Sequence, residues 1–185
     1  RTGAASFSFW MMEYYFRKGI PESRWFVSPG SGGSSVEYFP DFTSQDHGTK
    51  IQFDFFADAF YLRLFAAWDT LGQILNELFD LGMSPKSVHF DRVLARLSRK
   101  DAELHRTLAE IVEGGVHKRA KEIRNSVAHR YLPGTLGTSF RDVSPDRIEI
   151  TVGDYVKSEE VRGNAAAAIA DLARAIAAVA EASPN

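Results

Sequence analysis

The chain contains no cysteine, which excludes disulfide scaffolds, thiolate catalysis and cysteine-based zinc sites. That absence fits a reducing, cytoplasmic compartment. Long uncharged apolar runs are missing too. No stretch reaches the ~18 residues of a membrane-spanning helix, so no membrane partner is expected. The aromatic stretch from Phe7 to Phe16 is broken by Glu13 and followed by Arg17 and Lys18. It also lacks a small-residue cleavage site, which argues against a secretory signal. A surplus of either charge is absent as well. The formal net charge is −2, so no protein-wide field draws the molecule to DNA or anionic lipid. The chain begins at Arg1 rather than Met, and residues upstream are expected.

What is present suits a globular core. Of 185 residues, 44% are hydrophobic and 12% aromatic, too many for a disordered chain. The length fits one domain over 1–185, since domains commonly run to roughly 100–200 residues. Residues 1–50 read as an N-terminal extension. Within it Ala5–Lys18 fits an aromatic helix, Pro29, Gly30, Gly32 and Gly33 break regularity, and Val36–Phe42 reads as irregular. From Ile51 the pattern is strong. Phe53, Phe56, Phe60, Leu64, Trp68, Leu71, Leu75 and Leu78 recur at steps of three and four, giving one long helix to Leu81. A second apolar set, including Phe55, Leu62 and Phe65, predicts contact on two sides. Shorter helices are expected over Lys86–Ser98, Ala102–Glu113 with Asp101 as N-cap, and Val116 to about Tyr131. Residues 132–146 read as loop, and Arg147–Val152 alternates with period two, fitting one short strand within a 132–154 connection. A closing helix lies within 155–182, with Gly163 and Asn164 as a kink position. The expectation is an all-α up-and-down helical bundle with an irregular N-terminal segment.

The fourth of these helices carries the chemistry. Between Lys118 and Tyr131 stand Lys118, Arg119, Lys121, Arg124 and Arg130 against Glu122 alone, a local balance of +4 on a body carrying −6. A basic island of this kind is able to grip phosphate without attracting polyanions everywhere. The plainer reading is that cations favour a helix C-terminus. At 100° per residue, Val116, Ala120, Ile123 and Val127 form the core stripe and Arg124 and Tyr131 flank it. Asn125 and His129 fall on the opposite face. Arg124 and His129 stand about 140° and ~7.5 Å apart, so a cleft completed by a second copy suits them better than one undistorted helix.

Arg124-Asn125-Ser126-Val127-Ala128-His129 resembles the R-x4-H signature of the HEPN superfamily, and His129-Arg130-Tyr131 extends it to R-x4-H-x-Y. With 15 Arg and 5 His, the bare spacing arises by chance ~0.4 times, so it is weak alone. Requiring the Asn and the Tyr lowers that to about one in a thousand. The stretch from Phe65 to Gly72, taken with the motif, is most similar to the Cthe-type HEPN-like group, over roughly residues 51–131.

The resemblance implies metal-independent RNA cleavage in a homodimer, with RNA or a nucleotide as ligand and no cofactor. His129 would be the acid or base and Arg124 the phosphate fork, leaving a 2′,3′-cyclic phosphate and a 5′-hydroxyl. Asn125 would orient His129 or donate to phosphate, and Tyr131 would contact phosphate too; Lys121 and Arg130 of the basic island are further substrate-binding or orienting candidates. In the toxin–antitoxin branch the matching Tyr is modified by a nucleotidyltransferase-type antitoxin, so an antiviral or toxin–antitoxin effector is one expectation. The other histidines, His47, His89, His105 and His117, lack metal-ligand spacing. Asp69, a carboxylate on an apolar helix, needs a partner if buried. It reads either as an anchor pairing Arg124 or orienting His129, or as a structural or solvent-facing acid. Trp68 reads as core. Two other functions fit the same residues: a non-catalytic nucleotide- or protein-binding module, and a helical dimerisation domain.

Overall fold

The computed structural model describes residues 2–23, 25–28, 36–40, 42–129, 138–144, 147–152 and 156–183, with backbone alone for 25–28, 36–40, 128–129, 138–144 and 147–152. Among these residues the chain is an all-α bundle of six helices with two β-hairpins in the connections. The order is α1 (Thr2–Arg17), β1 (Trp25–Ser28), β2 (Val36–Pro40), α2 (Ser44–Leu78), a 3₁₀ turn at Pro85–Ser87, α3 (Phe90–Leu97), α4 (Ala102–Glu113), α5 (Gly115–His129), β3 (Thr138–Ser144), β4 (Arg147–Val152) and α6 (Ser158–Ala182).

Helix α2 is 35 residues long and begins seven residues before Ile51. Its start is fixed by a capping box: Thr43 accepts from the Asp46 N–H, and the Asp46 carboxylate accepts from the Thr43 N–H. The stripe predicted from spacing is buried, with Phe53, Phe60, Leu64, Trp68, Leu71 and Leu75 in the core. α1 lies along it through Phe9 on Phe60, Phe16 on Phe53 and Tyr15 stacked on Phe56. α6 approaches closely because its inner face is small, with Ala165, Ala168 and Ala175 buried beside Leu172 and Val179. It runs unbroken through Gly163 and Asn164.

Asn164 is instead a junction. Its Nδ2 donates to the Val116 carbonyl at the start of α5, and the Tyr61 hydroxyl of α2 lies 2.9 Å from both its Oδ1 and the Val161 carbonyl. Three helices are thereby tied by one side chain. α1 and α6 are clamped separately, by Glu13, which is buried and holds both Arg17 and Arg162.

The hairpins alter the reading of the connections. β4 occupies Arg147–Val152 as expected, but residues 138–144 of the expected loop form its antiparallel partner, with Phe140 opposite Ile150. A single strand leaves its backbone groups unpaired, so a second one is recruited. β2 likewise pairs with β1 where irregular chain was expected. The helix expected from Lys86 begins instead at Phe90, after the 3₁₀ turn.

The start of α6 depends on Glu22. Its buried carboxylate accepts from the Ser158 N–H at 2.7 Å and the Ser158 hydroxyl at 2.8 Å. Lys157, the N-cap, supplies no side-chain cap. We expect Glu22→Ala to lower stability by about 2–3 kcal/mol and Ser158→Ala by about 1 kcal/mol, read from urea unfolding midpoints.

Candidate functional site

α5 places its residues by the 3.6-residue repeat. Ala120 and Ile123 are buried against the bundle, as the stripe through Val116 predicts. His117, Lys121 and Arg124 follow at i, i+4 and i+7, so they share the flank that meets α2 and the start of α3. With Phe65, Trp68 and Asp69 of α2 and His89, Phe90 and Asp91 they enclose a cavity of about 170 Å³.

Arg124 is half-buried. Its guanidinium carbon lies 5.0 Å from the centre of the Phe65 ring, a cation–π seat. Its Nε is buried and has no hydrogen-bond partner among the described residues. No described carboxylate pairs with Arg124 either. The other cations of the island are compensated to different degrees. Arg119 is bound by Glu160 at 2.6 Å and Glu122 at 3.0 Å, and these bonds raise its pKa. Lys121 donates to Asp91 at 2.7 Å across the mouth of the cavity.

Asp69 serves α3. Its Oδ1 accepts from the Phe90 N–H at 3.2 Å, and its Oδ2 lies 3.7 Å from His89 Nδ1. His89 is the N-cap of α3 but makes no side-chain cap bond, so a carboxylate from α2 satisfies the first helical N–H in its place. Among the described residues Asp69 forms no pair with Arg124. Trp68 is core, as expected, and only 2% exposed. Its Nε1, however, also lacks a partner among the described residues.

Asn125 is exposed, on the face away from the core. His129 is the last helical residue of α5 and its side chain lies outside the described residues, as do Arg130 and Tyr131. The cavity thus gathers Asp69, Lys121 and Arg124, leaves Asn125 on the outer face, and adds His117, which spacing arguments passed over. The signal was available: His117, Lys121 and Arg124 repeat at four and three. It was obscured because His117 was weighed for metal-ligand spacing rather than for a shared helix flank. Among the described residues no group of three or more His, Asp or Glu side chains is placed to hold a metal ion. No described helix is long and apolar enough to cross a membrane.

His117 is buried, with its ring perpendicular to Trp68 at 5.1 Å and 5.4 Å from Phe65. Burial pushes its pKa below the ordinary histidine value, against the opposing pull of Asp91. A lowered folded pKa means that the unfolded chain binds the proton more readily. The stability this contributes is intact above about pH 6.5 and is lost as pH falls toward the folded value. Asp58 on α2 acts in the opposite sense, because burial, with help from Asp54, pushes its carboxyl up to about 7. We therefore expect His117→Gln to be less sensitive than the parent to acidification from pH 7 to 5, measured as the difference between urea unfolding midpoints. Equal pH slopes would contradict a neutral, buried imidazole.

No curated protein and no solved structure matches the chain significantly. A family profile does, and it takes in the N-terminal segment and α6 as well as the motif-bearing helices. The chain belongs to the HEPN_Cthe2314-like HEPN family, matched over residues 2–183.

Proposed function

We propose that this HEPN protein is a metal-independent endoribonuclease that works as a homodimer. The observation that carries the reading is the state of Arg124. It is a guanidinium seated on Phe65 at the wall of a cavity, with no described carboxylate to neutralise it. A cation held in this way is organised for a phosphate before the phosphate arrives.

In this reading Arg124 turns its Nη groups to the scissile phosphate and stabilises charge as it develops. His129 takes the proton from the 2′-hydroxyl or returns one to the departing 5′-oxygen. The products are a 2′,3′-cyclic phosphate and a 5′-hydroxyl, and no metal or cofactor takes part. Asn125 orients His129, while Lys121, Arg130 and Tyr131 line the path of the strand. Asp69 holds the start of α3 against the cavity. The protein works in the cytoplasm as an antiviral or toxin–antitoxin effector, and Tyr131 is where a nucleotidyltransferase-type antitoxin would restrain it.

Surface chemistry supports the dimer. Phe7, Trp10 and Tyr14 form one exposed stripe on α1, and Ile51, Phe55 and Leu62 another on α2. The rings meet at Phe56, which contacts both Phe7 and Phe55. Exposed aromatic surface of this continuity is characteristic of interfaces. On α2, positions 51, 55, 62 and 69 return to the same face by steps of four, seven and seven. A second copy laid along that face reaches Asp69 and the mouth of the cavity.

A second reading, a binding module without turnover, is favoured by one feature: the histidine described at the cavity, His117, is buried against Trp68 and Phe65, and burial lowers its pKa. The two readings separate in one assay. With EDTA present, the parent protein should cleave single-stranded RNA to cyclic-phosphate ends. His129→Ala should lower the rate about 10²–10⁴-fold and Arg124→Gln about 10²–10³-fold, with circular dichroism unchanged. An inert parent protein, or a His129→Ala variant of equal rate, rejects the nuclease. Nucleotide binding that depends on Arg124 without cleavage supports the module. For the dimer, Trp10→Ser combined with Phe55→Ser should shift sedimentation from a two-chain to a one-chain species. A parent protein that stays monomeric at micromolar concentration rejects it.

A further inference from the structure

The outer face of α3 carries charge that the fold leaves uncompensated. Phe90, Val93, Leu94 and Leu97 turn inward, which leaves Arg92 and Arg96 exposed on the other side. Helical winding continues past Leu97, because the Arg99 N–H donates to the Arg96 carbonyl and the Lys100 N–H to that of Leu97. Arg92, Arg96 and Arg99 therefore stand at i, i+4 and i+7, within about 60° of one another around the axis. Lys100, also exposed, lies beside them. The four form one row ~12 Å long, on a chain whose net charge is −2.

None of the four has an acidic partner among the described residues. Asp91 is taken by Lys121, and Asp101 accepts from the Glu103 and Leu104 N–H groups at the start of α4. The other described ion pairs engage cations elsewhere. Arg96 makes one contact, from Nη1 to the Leu81 carbonyl at 3.0 Å, which fixes the side chain without removing its charge. A basic last turn suits the backbone dipole, and that accounts for Arg96, Arg99 and Lys100. It does not account for Arg92. That residue lies in the first turn of α3, where a cation is disfavoured, and four positions before another Arg, a like-charge spacing that weakens an exposed helix.

The row begins at the cavity. His89, Phe90 and Asp91 line its wall, with Lys121 opposite, and Arg92 is the next residue along α3. Between the cations the exposed side chains are Ala95 and Ser98, so this face offers no large apolar group to enter a bilayer or anchor a protein partner. A single file of Arg and Lys instead matches the repeated charge of one phosphodiester backbone. We propose that the outer face of α3 binds the backbone of single-stranded RNA through Arg92, Arg96, Arg99 and Lys100 and guides the strand to the mouth of the cavity. The charge row calls for a phosphodiester strand; that the strand is RNA rests on the nuclease reading above. Such contacts position a strand without reading its sequence.

The test is the salt dependence of binding, measured with EDTA in the His129→Ala background so that RNA survives. Fluorescence anisotropy would follow a labelled oligouridine of about ten residues, long enough to cover the row, from ~50 to ~200 mM KCl. Each phosphate contact on a single strand contributes about −0.7 to the slope of log K against log salt. Arg92→Gln combined with Arg99→Gln should therefore make the slope shallower by about 1.4 and weaken low-salt binding about tenfold. Arg96 is kept because it also holds the Leu81 carbonyl. If that pair loses its helical circular dichroism, Arg99→Gln with Lys100→Gln, both beyond the last residue of α3, gives the same comparison. Lys157→Gln is the control, an exposed cation where α6 begins near Tyr61, ~16 Å along α2 from the Gly72 contact with α3. It should leave slope and affinity unchanged. DNA of the same sequence, bound equally well and weakened equally by the double variant, supports a site that reads backbone charge alone. A double variant with the parent's slope and affinity overturns the proposal, as does an equal loss in Lys157→Gln. So does a parent protein that binds vesicles of one part phosphatidylserine to two of phosphatidylcholine but not RNA. Cleavage by the otherwise unaltered chain that is indifferent to Arg92→Gln with Arg99→Gln keeps the nuclease and rejects the row. Binding that depends on the row without any cleavage does the reverse.

Discussion

A helix in a folded protein draws most of its stability from packing its apolar face, and the 35-residue α2 carries large apolar side chains along its length that need cover. That requirement organises the bundle. Phe53, Phe60, Leu64, Trp68 and Leu75 demand burial. α1 covers the first half, α6 the middle through Tyr61, and α3 and α5 the region around Trp68. Gly72 marks how close this packing is. A Cβ there would come within 3.1 Å of the Phe90 backbone, so α3 begins where α2 has no side chain.

The cavity is a consequence of the same packing. Helices meeting over a large indole leave space beside it. Here that space is bounded by the cationic flank of α5 and by the acid that caps α3. Its chemistry is therefore shared among segments far apart in the chain. Asp69 reaches Phe90 across 21 positions, and Lys121 reaches Asp91 across 30. The ionic contacts hold α3 and α5 in place around Arg124 without neutralising it. The exposed apolar residues of α2, Ile51, Phe55 and Leu62, lie on the face of that helix that also carries Asp69.

Some features were legible because their causes are local. The capping of α4 by Asp101 and its extent over Ala102–Glu113 follow from a single N-cap and a Gly-Gly break, and both hold. The apolar repeat of α2 is equally local, but its first turn was not read. Residues 44–50 are polar and include Gly48, so the repeat is silent there and the Thr43 capping box carries the signal instead. β3 was missed because a short strand is defined by its partner rather than by its own composition. The core assignment of Trp68 was correct by hydrophobicity, yet its unpaired N–H depends on what the neighbouring helices fail to supply.

By itself, the sequence determined the helical class, the family motif on α5, the stripe that buries Ala120 and Ile123, and the exposure of Asn125. Each depends on residues within a few turns of one another, where helical geometry converts spacing into direction. Only the tertiary structure decided that Arg124 faces Phe65 rather than a carboxylate, that Asp69 caps α3, and that His117 joins Lys121 and Arg124 around one cavity. Those outcomes depend on which helix flanks meet across tens of residues, and that is settled by burial of the whole core.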